Sequence, residues 1–306
     1  MINRTYTYIL FGVGILLVVA GVLKLPGGIV AGGALCFLGL ALFGLSFIPR
    51  GETPTDAPAP ISFFESLTSI FFEPTRVFQN LRAHPNWLAP LIIISLLSFV
   101  YATAFVYRLT PERIVNFTTD KVVERFNIPP ERAQQMKEQQ IEEAKSPTRI
   151  AGRAVTTFVG VFVFSAILAA LYMLALLLFG GRIGFWQSLS VTAWAALPST
   201  VIGLVLSLVL LYVKDPDDIH PVLGQSGLVT DNLSVLVKSA EHPVLFTVLS
   251  FFGILSLYRL WLTATGLRNG GERVSSSAAW SVAIIFWLIG LLLLTAFSAL
   301  FSNFIS

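Results

Sequence analysis

Charged residues are scarce in this chain. They make up 12% of its 306 residues, whereas hydrophobic residues make up 55%. A soluble globular domain carries roughly 25% charged residues, so a protein with half that share lacks the polar groups to cover its surface. The excess apolar surface must face lipid, and the composition predicts an integral membrane protein whose first partner is the bilayer.

Residues for several kinds of chemistry are also lacking. Cys36 is the only cysteine, which excludes an internal disulfide and any CxxC metal or redox motif. No Ser/His/Asp arrangement, HExxH, GxSxG or phosphate-binding glycine loop occurs. We therefore expect no enzyme, and no catalytic, cofactor-binding or metal-binding residues. The net charge of +3 is small and scattered, so nucleic acid is not an expected partner.

Long apolar runs are what the chain has instead. A membrane-crossing helix needs roughly 20 apolar residues, and seven stretches qualify. They predict an all-α, polytopic transmembrane bundle of about seven spans. The fifth is too long for one upright crossing and contains Pro198, so we expect it to be tilted or kinked. The stretches lie at about 6–23, 27–48, 87–107, 154–180, within 183–213, and at about 243–265 and 277–304.

A proline-rich linker divides the chain. The sequence "PRGETPTDAPAP" at 49–60 cannot support a helix. It separates an N-terminal two-span hairpin at 1–48 from a five-span domain at 61–304. Gly28 and Gly32 form a GxxxG pattern in the second span. This pattern is typical of close helix packing, either within the hairpin or against a partner subunit.

The segment 61–86 enters the third span with an unusual mixture of aromatic, charged and proline residues. Its apolar side chains fall at helical spacing, and Trp87 follows at the expected interfacial position. We predict an amphipathic elbow in the headgroup plane; the alternative is a cytoplasmic helix packed on protein. The predicted membrane-interface residues are Phe63, Phe64, Leu67, Phe71 and Trp87.

The polar segment 108–149 reads as two helices separated by "NIPPE". Thr110 is the predicted cap of the first, and Pro111 fits its first turn. Its charges are nearly balanced, so we expect a solvated extracytoplasmic helical hairpin. Short isolated helices are marginal in water, which predicts that packing on this chain or on a neighbouring subunit orders the segment.

Loop charges predict the orientation in the membrane. The short loops on the N-terminal side carry mostly arginine, whereas the loop at 214–242 is acidic. The positive-inside rule therefore predicts a cytoplasmic N-terminus and an extracytoplasmic C-terminus. Within that loop, "DPDDIHPV" at 215–222 lacks the spacing of a calcium loop, and we expect a solvated acidic turn.

Arg259 is the charged residue that comes closest to the middle of a predicted span. Its long side chain can snorkel to the interface. The alternatives are a buried ion pair or contact with an anionic lipid headgroup. Without a central carboxylate or basic residue, an ion-coupled transporter is not expected.

From residue 61 to about 304 the chain resembles the bacterial branch of the Yip-domain family, named after Ypt/Rab-interacting protein. The entrance step contains Pro85, Trp87, Leu88 and Pro90, and "SLSVTAWAALPSTVIGLVLSLV" and "LYRLWLTATGLRNGGERVSSSAAW" follow. The resemblance implies a five-span helical core with a cytoplasmic entrance, in the bacterial cytoplasmic membrane. The Asp-Leu-Tyr-Gly-Pro type motif of eukaryotic members is absent, so binding of small GTPases is not supported.

Two functions follow from these features. The first is a non-catalytic organising or accessory component of a membrane assembly, which would have a partner subunit. The second is a permease or lipid-translocating protein that uses the polar fifth span as its path. A permease predicts a polar cavity, whereas an accessory protein predicts hydroxyls bonded to backbone carbonyls of their own helix. The hydroxyls in question belong to Ser188, Ser190, Thr192, Ser199 and Thr200.

Overall fold

The computed structural model describes residues 4–22, 28–48, 58–238 and 241–300, with side-chain surroundings for all but 4–6, 21, 28, 147–149 and 151. These ranges contain twelve α-helices and no β-strand. Three short 3₁₀ turns lie at Pro216–Asp218, Leu223–Ser226 and Leu233–Leu236. The helices are α1 (Arg4–Val22), α2 (Gly28–Leu45), α3 (Phe63–Phe72), α4 (Pro74–Ala83), α5 (Leu88–Leu109), α6 (Pro111–Phe126), α7 (Pro130–Lys145), α8 (Pro147–Leu178), α9 (Phe185–Val213), α10 (Pro243–Ser250), α11 (Ile254–Gly270) and α12 (Ser276–Leu300).

Four helices in the described part of the chain are long and apolar enough to cross a membrane. They are α5, the Gly152–Leu178 part of α8, α9 and α12, which match the third, fourth, fifth and seventh predicted spans. The all-helical membrane fold is therefore confirmed. The helices α1 and α2 lie at the first two predicted spans with 19 and 18 residues. The total of seven spans stays a prediction.

The sixth predicted span is interrupted. Residues 243–265 were expected to form one helix, but α10 ends at Ser250 and α11 begins at Ile254. The reason is a contact from elsewhere in the chain: Asp231 Oδ2 accepts a hydrogen bond from Leu255 N at 2.6 Å. A carboxylate that satisfies the first N–H groups of a helix stabilises a helix start at that point.

Prolines begin several helices. Pro74, Pro111 and Pro130 stand in the first turn of α4, α6 and α7, where a missing N–H costs nothing. Thr110 does lie at the N-cap position of α6, but its side chain makes no capping bond to the helix backbone, so that part of the prediction is wrong. Its backbone has a φ of 66°, a conformation away from the extended geometry that capping residues adopt.

The chain forms two compact units. The first comprises Met1–Pro49, Ser95–Gly160 and Leu204–Leu228. In this unit α1 packs along α2, and α6 packs along α7. A buried cluster joins the second half of α5 to the end of α9 and to the loop that follows it. Its members are Tyr101, Phe105, Leu109, Leu211, Ile219 and Leu228.

The second unit comprises Arg50–Ile94, Val161–Gly203 and Val229–Ser306. Its core is formed by α4, the second half of α8, the first half of α9, α11 and α12, and it includes Phe78 and Trp194, both fully buried. The sequence-based division into 1–48, 49–60 and 61–304 stays a prediction.

Candidate functional site

The segment 61–86, which leads into the third predicted span and is called the entrance segment below, packs its apolar side chains on protein. Ile70 in α3 and Val77 and Phe78 in α4 are completely buried in the core of the second unit. Of the predicted membrane-interface residues, Phe63, Leu67 and Phe71 are partly buried against the same core.

Two other phenylalanines of α3 point away from that core. Phe64 and Phe72 are 76% and 85% exposed. The segment therefore has a protein-facing side and a separate aromatic side. The first fits the alternative of a helix packed on protein, and the second fits contact with lipid.

Hydrogen bonds fix the chain that leads into the entrance. Asn80 Nδ2 donates to the carbonyl of Ala59 at 3.0 Å, and Asn80 Oδ1 accepts from Ile61 N at 3.4 Å. The ring of His84 is bonded through Nε2 to the carbonyl of Pro58 at 2.9 Å. His84 is thus engaged in a contact with the backbone.

Close approach of helices holds α4 in place. A Cβ added at Gly266 of α11 would stand 2.6 Å from Val191 of α9 and 2.9 Å from Phe78 of α4. A Cβ at Gly270 would stand 2.7 Å from Val191. These two glycines let three helices meet, so they have a packing function.

Trp87 belongs to a ring cluster at the start of α5. Its ring centroid lies 5.5 Å from Phe162 and 6.2 Å from Trp186. Nearby, the indole N–H of Trp194 donates to the carbonyl of Asn86 at 2.7 Å. The proline-bounded turn before α5 is therefore fastened to α9. The interfacial position of Trp87 stays a prediction.

Most hydroxyls of α9 are satisfied by backbone carbonyls. Ser188 and Ser190 are completely buried, Thr192 and Ser199 nearly so, and Thr200 is half-buried. A hydroxyl bonded to the carbonyl one turn earlier needs no water or ligand. Bonds within the helix join Ser190 to Trp186 (2.8 Å), Thr192 to Ser188 (2.8 Å) and Ser199 to Ala196 (3.1 Å).

Ser188 forms a bond between helices instead. Its hydroxyl donates to the carbonyl of Ala169 in α8 at 2.7 Å. This contact crosslinks α8 and α9 at a fully buried point. Without this bond the buried hydroxyl would be an unsatisfied polar group, so its role is structural.

The glycines of α2 serve the hairpin with α1. A Cβ at Gly32 would stand 2.6 Å from Gly14 O and from Val18 N, both in α1. Gly32 therefore packs within the hairpin. The surroundings of Gly28 lie outside the described side chains. Gly33, on another face of α2, has nothing within 4 Å of its Cβ position.

The acidic loop is a turn fastened by α6. Arg113 donates to the carbonyl of Pro216 at 2.5 Å and to Asp217 Oδ1 at 3.1 Å. His220 Nδ1 accepts from the backbone N–H of Val222 at 3.1 Å, and burial together with the positive charge of Lys121 lowers the pKa of His220. Within the described ranges no group of three metal-ligating side chains occurs.

Ion pairs tie α6 to α7. Lys137 contacts Asp120 at 2.7 Å, and Lys145 contacts Glu112 at 2.5 Å. The hydrogen bond from Lys145 lowers the pKa of Glu112. Both pairs are partly or well exposed, so each is worth little alone. The predicted helical hairpin is present, with α6 packed on its own chain through Arg113.

A cavity of about 500 Å³ lies beside α7. It is open, and its walls mix apolar with polar side chains. Thr119 of α6 is buried with no hydrogen-bond partner for its hydroxyl. The residues that line the cavity are Val115, Met136, Gln139, Gln140, Glu143, Ala144 and Arg153.

Arg259 is exposed on α11, five residues after the helix begins. Its backbone carbonyl accepts from the Thr263 hydroxyl at 2.8 Å. Exposure agrees with a snorkelling side chain and with a lipid headgroup contact, and the choice between them stays a prediction.

Asp231 is the residue that sequence reasoning missed. It stands 22 residues ahead of Gly253, in the loop expected to be acidic and extracytoplasmic, yet its carboxylate caps α11. An added Cβ at Gly253 would stand 2.9 Å from Asp231 Oδ1. The local signal is weak, because only three apolar residues, 235–237, follow "DNLS" before Lys238.

Comparison with known protein families shows to which family the chain belongs. The model of the Yip1 domain matches residues 68–297, more than half of the chain. The chain belongs to the Yip1 family. No curated protein and no solved structure matches it. The match begins within α3 and ends within α12, so it covers most of the entrance segment, together with the polar hairpin and the interrupted sixth span.

The Yip1 match agrees with the resemblance seen in the sequence, although it does not distinguish a bacterial branch. The Yip1 domain and the apolar helices support an integral membrane protein. The Yip1 family is not known as an enzyme family.

Proposed function

We propose that this Yip1 protein is a non-catalytic organising or accessory component of a membrane assembly. The supporting observation is the state of the α9 hydroxyls. Ser190, Thr192 and Ser199 donate to carbonyls of their own helix, and Ser188 donates to α8. A solute path needs polar groups that are free to exchange partners with the solute, whereas these are held by the scaffold.

The protein is placed in the bacterial cytoplasmic membrane, with the N-terminus in the cytoplasm and the C-terminus outside. The arginines of the short N-terminal-side loops support this orientation. Cysteines at Asn269 and Gln225, on a Cys36→Ser background, test it with a membrane-impermeant thiol reagent. Asn269→Cys should react only after permeabilisation, and Gln225→Cys should react in intact spheroplasts. Equal reaction of both would overturn the seven-span topology.

One partner surface is proposed on the outward face of α7. This face carries Glu131, Gln135, Glu138 and Glu142, all exposed. Replacing the three glutamates by lysine should release a partner subunit from the protein isolated in mild detergent. The pairs of α7 with α6 are untouched, so helicity should not change. Retention of the partner would exclude this face.

A second partner surface is proposed on α2, where the glycines offer a matched pair. Gly33→Leu fills open space and should weaken association with a partner. Gly32→Leu collides with α1 and should unfold the hairpin instead. Particle mass measured by light scattering separates the two results. An unchanged mass for Gly33→Leu would leave the glycines with packing alone.

The membrane-interface role is proposed for the exposed side of the entrance. Phe64 is open to the surroundings, whereas Phe63, Leu67 and Phe71 are shared with the protein core. A spin label at Phe64 in liposomes should collide with oxygen at the headgroup boundary. A label at Gln79, exposed on α4, should meet more of a water-soluble nickel relaxant. Equal exposure of both labels to nickel would show that the entrance lies in water.

A permease is the second candidate, and one observation favours it. The α10–α11 break brings a carboxylate to a helix end within an apolar region, as in the discontinuous helices of transporters. Reconstitution of the purified chain in liposomes separates the two functions. A monomeric particle that moves a solute or lipid alone would establish the permease. Inactive liposomes and a stable complex from the native membrane would support the accessory role.

A further inference from the structure

The contacts between α10, α11 and α12 show how far the break lies from the ends of α12. At one end, the Ser298 hydroxyl donates to Pro243 O at 3.0 Å. At the break, the rings of Phe251 and Phe252 lie 5.9 and 5.4 Å from Trp287. The helices α10 and α11 therefore follow α12 in the opposite direction, with the break beside Trp287.

Trp287 stands near the midpoint of a helix of membrane-crossing length. It is the twelfth of the 25 residues of Ser276–Leu300. At a rise of 1.5 Å per residue it lies about 17 Å from the first residue of the helix. Since the hydrocarbon core is about 30 Å thick, the break lies inside the core. The indole N–H of Trp287 donates to Ser256 Oγ at 3.1 Å, just past the break.

Asp231 and Asn232 lie at the same depth, because they contact the break directly. Leu255 N donates to Asp231 Oδ2 at 2.6 Å, and Ile254 N donates to Asp231 O at 3.4 Å. Asn232 forms an antiparallel bridge with Gly253. These bonds satisfy backbone N–H groups that the break leaves open, as the bilayer interior requires.

The following residues have a reversed pattern of exposure. Leu233, Val235 and Leu236 are 47%, 62% and 75% exposed. The polar Ser234 is 2% exposed, and both its N–H and its hydroxyl donate to Asn232 Oδ1. Apolar groups outside and paired polar groups inside suit a lipid environment rather than water.

The ends of this segment differ from its middle. Lys238 and Glu241 form an exposed pair at 2.9 Å, and Pro243 begins α10 beside Ser298 near the end of α12. The chain thus passes from the depth of Trp287 at Asp231 to charged, exposed groups at Lys238. The eight residues of α10 return to the depth of Trp287 over a rise of about 12 Å. The seven steps from Asp231 to Lys238 can cover the same distance, because this part of the chain is partly extended.

We propose that residues 231–238 form a re-entrant segment. It enters the leaflet distal to Ser276, places Leu233, Val235 and Leu236 against lipid acyl chains, and caps α11 with Asp231 inside the bilayer. The segment was expected to belong to the acidic extracytoplasmic loop at 214–242. This proposal is independent of the accessory or permease role, since it concerns what the segment contacts.

Spin labels test the proposal in the full-length chain, on a Cys36→Ser background in phosphatidylcholine liposomes. Labels at Val235 and Leu236 should lose collisions with a water-soluble nickel complex and gain collisions with oxygen. A label at Leu293, exposed on α12, gives the lipid reference, and a label at Asp218, exposed in the acidic turn, gives the water reference. Nickel collisions at 235 and 236 equal to those at 218 would overturn the proposal, as would shielding from both relaxants.

The cap has its own test with a conservative partner. Asp231→Asn keeps an acceptor for Leu255 N and should leave the label at Val235 at its depth. Asp231→Leu removes the acceptor and should bring that label towards the water reference. A label that stays at the lipid reference in Asp231→Leu would show that Asp231 does not hold the segment in place.

Discussion

The helix α9 and the pair α10–α11 deal with polar groups in opposite ways. The helix α9 continues through Pro198. The hydroxyls of Ser190 and Thr192 bond to carbonyls one turn away, and that of Ser188 bonds to the adjacent α8. The pair α10–α11 is broken at Phe251–Gly253, and groups from a distant loop satisfy its open backbone. Hydrogen bonds to neighbouring residues remain possible in a helix that contains a proline. At a helix break, the open backbone groups need bonding partners from a distant part of the sequence.

The largest expected effect comes from a matched pair of glycine substitutions. In Gly253→Ala the new Cβ stands 2.9 Å from Asp231 Oδ1, so the cap must move. Strain of this kind costs about 1–3 kcal/mol. Gly203→Ala on α9 meets only Leu255 at 3.5 Å, and alanine favours the helix. Thermal unfolding in detergent should show a loss for the first and none for the second; equal losses would contradict the account.

Removing the cap itself should have an effect of about the same size. Asp231→Leu leaves the N–H of Leu255 without its charged acceptor, and a hydrogen bond to a charged group is worth about 1.5–3 kcal/mol. Asp231→Asn should recover part of this stability. The unfolding free energies of the two variants, compared with the parent, measure the difference. Identical values for the two variants would mean that the acceptor at residue 231 is not used.

A smaller effect is expected from the bond between α8 and α9. Ser188→Ala removes the donor to Ala169 O at a fully buried point. A neutral hydrogen bond contributes about 0.5–1.5 kcal/mol, and the expected loss lies in that range. Unfolding monitored by tryptophan fluorescence measures it. No loss would show that the two helices are held by packing alone.

The smallest effect is expected from Ser190→Ala. Its hydroxyl donates to Trp186 O, which in an α-helix also accepts the backbone N–H of residue 190. The carbonyl therefore stays bonded after the substitution, and stability should change by less than about 0.5 kcal/mol. The same unfolding assay applies. A loss as large as that of Ser188→Ala would mean that the Ser190 hydroxyl has another role.

Sequence reasoning reached the features that depend on neighbouring residues. The apolar runs marked α5, α8, α9 and α12 as helices long enough to cross a membrane, and Pro111 was correctly placed in the first turn of α6. It was harder to predict from the sequence which side of α3 packs on protein and which side is exposed. Helical spacing places Phe63 and Phe64 near each other, but only the packed core decides which one is covered.

The break between α10 and α11 could not be predicted in the same way. "LSFFGILS" is apolar and compatible with a continuous helix. Its interruption depends on Asp231, more than twenty residues earlier, and on the space that Gly253 leaves for it. For the same reason, a search for charged residues inside the spans overlooked a carboxylate that a loop brings to the depth of Trp287.

We propose that α9 is a structural helix with no aqueous path beside it. A cysteine at Ser190, on a Cys36→Ser background in sealed liposomes, tests this with a small charged thiol reagent applied from each side in turn. The account predicts no reaction from either side, while a cysteine at Asp218 reacts from its own side. Reaction at Ser190→Cys would demonstrate water beside α9 and contradict the claim.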